Sequence, residues 1–196
     1  MSTILITAYK PYDDWQENAS WLALQELTRS FNGDHEETTR LYPVDFAEMK
    51  KQLANDMEAN FDVSLHLGQA PGSGRIQFEA IGVNVAIWPH EGPEKAAPLA
   101  DDGPIAYRSQ LPLAEWAAKL RAAGIPSQVS FHAGTYLCNA ALYVSHYLAE
   151  TRGYKTQSTF VHLPLDRSQA VDARRDTAWM TTSETARGLG MVLEEI

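Results

Sequence analysis

The chain holds a single cysteine, Cys138, and six histidines. A thiol and an imidazole are the minimum for nucleophilic acyl transfer. The thiolate attacks a carbonyl, the imidazole takes up the thiol proton and later delivers it to the leaving amine, and a third polar group orients the ring. Gly134-Thr135-Tyr136-Leu137-Cys138-Asn139 falls between a predicted strand and a predicted helix. Cys138 is therefore expected at or near a helix N-terminus, where unpaired N–H groups and the macrodipole favour a thiolate and could also hold an oxyanion. The other reading of a lone cysteine is a small buried hydrophobe. His162, in Phe160-Val161-His162-Leu163-Pro164, ends a predicted apolar strand close to where the neighbouring strand-to-helix junction would place Cys138. It reads as the general base and acid, or else as a satisfied core histidine. Glu79 sits in the otherwise apolar Phe78-Glu79-Ala80-Ile81-Gly82-Val83, where a carboxylate needs a partner. An imidazolium or a structural polar contact would each serve. His35, His66, His90, His132 and His146 form no HExxH or similar spacing, so no metal site is read.

The rest of the composition narrows the setting. At 196 residues, 44% hydrophobic and 21% charged, the chain has the length and make-up of one globular domain over residues 1–196. A chain of this size buries roughly 70% of its extended surface, enough to fold without disulfides or structural metal. One cysteine excludes an internal disulfide and any CxxC motif, which is usual in a reducing cytoplasm. No run of about 18 apolar residues is available for a membrane span. The opening Met1-Ser2-Thr3-Ile4-Leu5-Ile6-Thr7-Ala8-Tyr9 lacks a basic head and reads as a first strand rather than a signal peptide. The expected location is the cytoplasm. Sixteen basic against twenty-five acidic residues give a net charge of −9 with no Lys/Arg cluster, which argues against a nucleic-acid partner.

Elements that would position these groups follow from periodicity and caps. Ile4-Leu5-Ile6 is a buried strand, followed by a loop from Lys10 to Glu17 and a helix with Asn18 as N-cap and Trp21, Leu22, Leu24 and Leu27 in its stripe. A second strand is expected over Thr38–Val44, then a helix opened by the capping-box pair Asp45 and Glu48. Val63–Gly68 is a third strand, and Arg75–Trp88 alternates as extended chain. Pro89–Pro104 is a long loop, either functional or a mobile surface insertion. Pro112 is expected as a first helical residue, with Gly124 closing that helix; Ser127–Phe131 and Ser158–Leu163 are strands. They flank the Cys138 helix, which runs to about Gly153, and a last helix opens at Thr181 with Glu184. Strands alternating with helices imply an α/β fold, a three-layer α/β/α sandwich with a mixed, largely parallel sheet.

These motifs together resemble the pyroglutamyl peptidase I family of cysteine peptidases, also called pyrrolidone-carboxylate peptidases. Thr7-Ala8-Tyr9-Lys10-Pro11-Tyr12 and Asn18-Ala19-Ser20-Trp21 look like the family's opening strand, aromatic loop and helix start. Leu67-Gly68-Gln69-Ala70, Glu79–Asn84, Asp102-Gly103-Pro104, Ala133–Asn139 and Val161-His162-Leu163-Pro164 follow in the family's order, and the run ending in Cys138-Asn139 is the most specific. The resemblance implies removal of N-terminal pyroglutamate from peptides, with Cys138 as nucleophile, His162 as base and acid, and Glu79 orienting His162. It implies no cofactor, a fold of the phosphorylase/hydrolase type, and allows a homo-oligomer, bacterial members often being tetramers. Tyr9, Tyr12, Tyr136 and Leu137 would wall a pocket for the flat lactam, with Trp88 narrowing it, while Asn18 and Gln69 would hydrogen-bond its polar edge. The chain departs from the family at Ala8-Tyr9 and Tyr12-Asp13-Asp14, and Ala86-Ile87-Trp88-Pro89 offers no arginine where the family has one for the oxyanion. Arg75 and Arg108 are the candidates to replace it. The departures leave two further readings: hydrolysis of another small amide or lactam, or a non-catalytic binding module on the same fold.

Overall fold

In a computed structural model the structure describes residues 1–171, 173 and 176–196. Eight strands and six helices follow one another as β1 (Thr3–Tyr9), α1 (Ala19–Ser30), β2 (Glu36–Tyr42), α2 (Phe46–Asp56), β3 (Val63–Gln69), β4 (Ile76–Glu79), β5 (Ile81–Val83), β6 (Ala106–Arg108), α3 (Leu113–Ala122), β7 (Ser127–Ser130), α4 (Leu137–Arg152), β8 (Gln157–Leu163), α5 (Arg167–Val171) and α6 (Thr182–Leu193) among the described residues. Six strands form the main sheet in the order β2-β1-β3-β8-β4-β7. Every neighbouring pair is parallel except β4 and β8, which run antiparallel.

Alternation along the strands assigns the two faces. Ile4, Ile6 and Ala8 of β1, Leu65 and Leu67 of β3, Ile76 and Phe78 of β4, and Val161 and Leu163 of β8 join α1, α3 and α6 in one core. Leu5 and Tyr9 of β1 and Phe160 of β8 join Met49 and Leu53 of α2 and the apolar residues of α4 in the other. The result is the expected three-layer α/β/α sandwich. Local signals hold at the helix ends. Asn18 Oδ1 accepts from the Ser20 N–H, Asp45 from the Glu48 N–H and Thr181 from the Glu184 N–H, as N-caps do.

Several boundaries move for tertiary reasons. β2 starts two residues before the expected Thr38 because it keeps register with β1 from Thr3↔Glu36 onward. Pro112 is the N-cap rather than the first helical residue, and α3 begins at Leu113. The extended stretch over Arg75–Trp88 divides: β4 stays in the main sheet, while β5 leaves it to pair with β6 in a small hairpin. The long loop after Trp88 is tied rather than structureless. Ala86 and Ala97 exchange backbone hydrogen bonds, and Asn84 Oδ1 accepts from the Leu99 and Ala100 N–H groups at 2.7 and 3.0 Å.

The α4 side of the sheet carries a buried polar strip. His66, fully buried on β3, bonds Thr7 Oγ1 through Nδ1 at 2.8 Å and Ser145 Oγ of α4 through Nε2 at 2.8 Å. Burial pulls its pKa down to about 3, with the nearby His146 adding to the shift. Burial likewise holds His146 down, to about 4. The unfolded chain therefore binds protons below pH ~6.5 that the folded protein refuses, and stability falls from pH ~6.5 toward ~3 as those protons accumulate. Denaturant-unfolding free energies measured across that range should decline with a slope containing both histidines. In His66→Gln the slope should be shallower by about one proton, roughly 1.4 kcal/mol per pH unit. An unchanged slope would contradict this account.

Candidate active site

The antiparallel seam between β4 and β8 builds one half of the site. Glu79 is paired with Phe160 and Gln77 with His162, so Glu79 and His162 are diagonal neighbours on one face of the sheet. Their side chains meet, with His162 Nδ1 and Glu79 Oε1 2.7 Å apart. Glu79 is 1% exposed, so its carboxylate faces the imidazole out of water. Because Nδ1 is committed to Glu79, Nε2 is the ring nitrogen turned to other chemistry.

The other half comes from α4. Tyr136 is its N-cap, which makes Leu137 and Cys138 the first two helical residues. First-turn N–H groups have no acceptor inside the helix, so the Cys138 sulfur shares its surroundings with unpaired backbone donors. On β3, Gly68 pairs with His162. A Cβ at Gly68 would lie 2.5 Å from Phe160 Cζ and 3.4 Å from Cys138 Sγ, so glycine lets the sulfur and the ring close over the strand. The electrostatics of His162 report the same proximity. Burial is the largest influence and acts downward, but the charge and hydrogen bond of Cys138, together with the hydrogen bond and charge of Glu79, outweigh it and push the imidazole up to about 10. The imidazole is therefore held protonated across neutral pH.

Beside the sulfur lies a cavity of about 250 Å³ lined by Tyr9, Tyr12, Asn18, Val44, Gly68, Gln69, Pro89, Tyr136, Leu137 and Cys138. None of these residues is acidic or basic. Burial, with the Cys138 charge second, raises the phenol of Tyr9 and pushes that of Tyr12 up to about 12, so both stay neutral. The structure thus brings Cys138, Tyr9, Tyr12, Asn18, Gln69, Tyr136 and Leu137 together around one space, with His162 and Glu79 behind the sulfur.

A family model described as pyroglutamyl peptidase matches residues 2–196. The chain belongs to the pyroglutamyl peptidase family. Among its relatives, the pyrrolidone-carboxylate peptidase of Clavibacter michiganensis is 35% identical, over 98% of this chain and 92% of its own. That of Pyrococcus furiosus is 33% identical over 86% and 84%. The crystal structure of pyrrolidone carboxyl peptidase from Fervidobacterium islandicum AW-1 superposes with a TM-score of 0.93 at 26% identity, covering 100% of this chain and 98% of that one. Membership in this pyroglutamyl peptidase family makes the chain a cysteine-type exopeptidase.

Three expectations change on contact with the structure. Trp88 does not line the cavity; its half-buried ring packs against Phe46 and Tyr136, with centroids 5.2 Å away in each case, and braces the wall from behind. Asn18 is largely committed as a cap. Its Oδ1 accepts from the backbone N–H and the hydroxyl of Ser20, and Nδ2 donates to the Lys10 carbonyl, leaving one N–H. Arg75 and Arg108 are exposed and absent from the cavity lining, so neither stands in for the family's arginine. Sequence reasoning passed over Val44, Pro89 and the space-giving Gly68 as lining residues. It also passed over Asn139, which follows Cys138. That buried side chain accepts from the Val83 N–H at 2.8 Å and donates to the Val83 and Val85 carbonyls at 2.9 Å.

Two outcomes test this geometry. Gly68→Ala should cost about 1–3 kcal/mol by overpacking the buried Phe160 ring, and should slow alkylation of Cys138; a fully stable, fully reactive variant would show that the strand gives way. Removing the carboxylate charge in Glu79→Gln lowers the proton affinity of His162. The alkaline limb of the Cys138 reactivity profile should then move to lower pH by on the order of one unit; a limb that stays in place would remove Glu79 from the pair.

Proposed function

We propose that this protein removes N-terminal pyroglutamate from peptides, with Cys138 as nucleophile, His162 as proton carrier and Glu79 orienting His162. The reading rests chiefly on one observation: a cysteine beside a carboxylate-bound histidine opens onto a small cavity lined by no Asp, Glu, Lys, Arg or His. That cavity suits a flat, uncharged ring held by a few placed polar groups.

The Cys138 thiolate adds to the carbonyl carbon that joins the pyroglutamyl ring to the next residue, and the carbonyl electrons move onto its oxygen. Backbone N–H groups of the first turn of α4 receive that oxyanion. As the intermediate collapses, the carbon–nitrogen bond breaks and the departing amine takes the proton from His162 Nε2, leaving a thioester on Cys138. His162, now neutral, accepts a proton from water as the water oxygen attacks the thioester. Breaking the carbon–sulfur bond frees pyroglutamate and returns the thiolate–imidazolium pair. Glu79 keeps the ring in the orientation that presents Nε2 first to the leaving amine and then to the attacking water.

Tyr9, Tyr12, Tyr136 and Leu137 supply the walls. Gln69 Nε2, buried and without a partner among the described residues, is the donor for the lactam carbonyl. The Tyr9 hydroxyl, equally unpartnered there, is the proposed acceptor for the lactam N–H. An N-terminal proline lacks that carbonyl and brings a charged amine into a cavity with no carboxylate, so the site discriminates against it twice. The chain is proposed to act as one domain over residues 1–196 in the cytoplasm, where a lone thiol stays reduced.

Fluorogenic pyroglutamyl, prolyl and alanyl amides assayed in parallel should give cleavage of the first alone, by at least about 10² over the others, and none in Cys138→Ala. A folded wild type silent on all three would shift the function to another small amide or lactam.

A further inference from the structure

The side-chain amide of Gln69 has only one orientation open to it. Its Oε1 accepts from the Ala19 N–H at 3.0 Å and from Nε2 of Gln169 at 3.0 Å. A backbone N–H is always a donor, so the group facing Ala19 must be the carbonyl oxygen. Gln169 is pinned in the same manner. Its Oε1 accepts from the Asp166 N–H at 3.0 Å, which turns Nε2 toward Gln69 and toward the Glu17 carbonyl, 3.1 Å away. Asp166 is itself fixed, its carboxylate accepting from the Ser168 and Thr182 N–H groups at 2.8 Å each.

Two glutamines in series thus carry the orientation of two backbone N–H groups to the edge of the cavity. Both hydrogens of Gln169 Nε2 and both lone pairs of Gln69 Oε1 are engaged. Of the two amides, the Gln69 Nε2 hydrogens alone lack a well-formed hydrogen bond among the described residues, beside the Tyr12 hydroxyl and on a side chain 4% exposed. A buried amide donor without a full acceptor is costly, so the arrangement calls for an acceptor on the ligand. Gln169 lies outside the cavity lining and is itself buried, 7% exposed.

We propose that Gln169 on α5 is a positioning residue for substrate selection: by holding Gln69 Oε1 and the Glu17 carbonyl, it presents the Gln69 amide hydrogens to the cavity as the donor for the ring carbonyl of the ligand. The proposal rests on the lactam reading of the cavity. Without Gln169, one lone pair of Gln69 Oε1 is released, the amide is held at Ala19 alone, and the loop leading to Asn18 loses its tie at Glu17. A carboxylate at position 169 would go further, attracting the Gln69 N–H groups away from the cavity.

The test uses the rate of Cys138 alkylation by iodoacetamide in rising 2-pyrrolidone, for wild type, Gln169→Met and Gln169→Glu. Wild type should be protected by the lactam. Both variants should keep the lactam-free alkylation rate and the wild-type thermal midpoint within a few degrees, yet need about tenfold more lactam for half-protection. With the pyroglutamyl amide the same loss should appear in KM more than in kcat. Half-protection within twofold of wild type in either folded variant overturns the role of Gln169. A lactam that gives wild type no protection sinks the lactam reading and this role with it. That result differs from the first because the wild type itself fails. Should both variants unfold, the wild type decides: in ¹⁵N spectra, lactam must shift the Gln69 side-chain amide while the Gln169 amide stays slow to exchange. A Gln169 amide that exchanges freely overturns the proposal.

Discussion

One strand running against its neighbour underlies the site. In a wholly parallel sheet the carboxyl ends of all strands lie at one edge. Here β4 meets β8 antiparallel, which sets Glu79 opposite Phe160 and one pleat from His162. The 2.7 Å contact between carboxylate and imidazole follows from that register rather than from any flexible loop. A pair fixed by strand geometry is also kept dry, and in low dielectric a carboxylate acts strongly on an imidazole. The high proton affinity of His162 comes first from Cys138 on α4, and Glu79 across this seam adds to it.

The remaining machinery is fitted to the seam by size. Gly68 contributes nothing except absence of bulk, yet the sulfur of Cys138 and the ring of Phe160 both occupy the room it leaves. Around the cavity, aromatic rings do the shaping: Phe46, Trp88 and Tyr136 lie 5.1–5.2 Å apart in edge and tilted contacts. Tyr136 is at once the cap of α4 and a wall of the cavity, so the start of the nucleophile helix and the shape of the site share one residue.

Much of this was legible in the sequence wherever the cause was local. Asn18, Asp45 with Glu48, and Thr181 with Glu184 marked helix starts because a cap needs only neighbouring residues. Cys138, His162 and Glu79 stood out because a lone thiol, a strand-end histidine and a carboxylate in an apolar run each ask for a partner. What escaped was set by distant parts of the chain. The direction of β4 and the departure of β5 to pair with β6 depend on strands far along the sequence. The commitment of Asn18 as a cap was visible, but its contact with the Lys10 carbonyl was not. Helix α5 was missed although Asp166 and Gln169 carry the same spacing as the other capping boxes, and the Gln169 side chain does reach back to the Asp166 N–H. Five residues without an apolar stripe gave periodicity nothing to work on.

Asn139 grips Val83 and Val85 directly beside Cys138. Downstream of that grip the same stretch gives the Ile87 N–H to the Thr135 carbonyl and then supplies Pro89 to the cavity. Nucleophile and wall are therefore joined across one residue and belong to a single rigid patch. A length change around Gly92, beyond the bridge between Ala86 and Ala97, would leave that patch in place, whereas one between Val83 and Pro89 would pull the sulfur along with the wall.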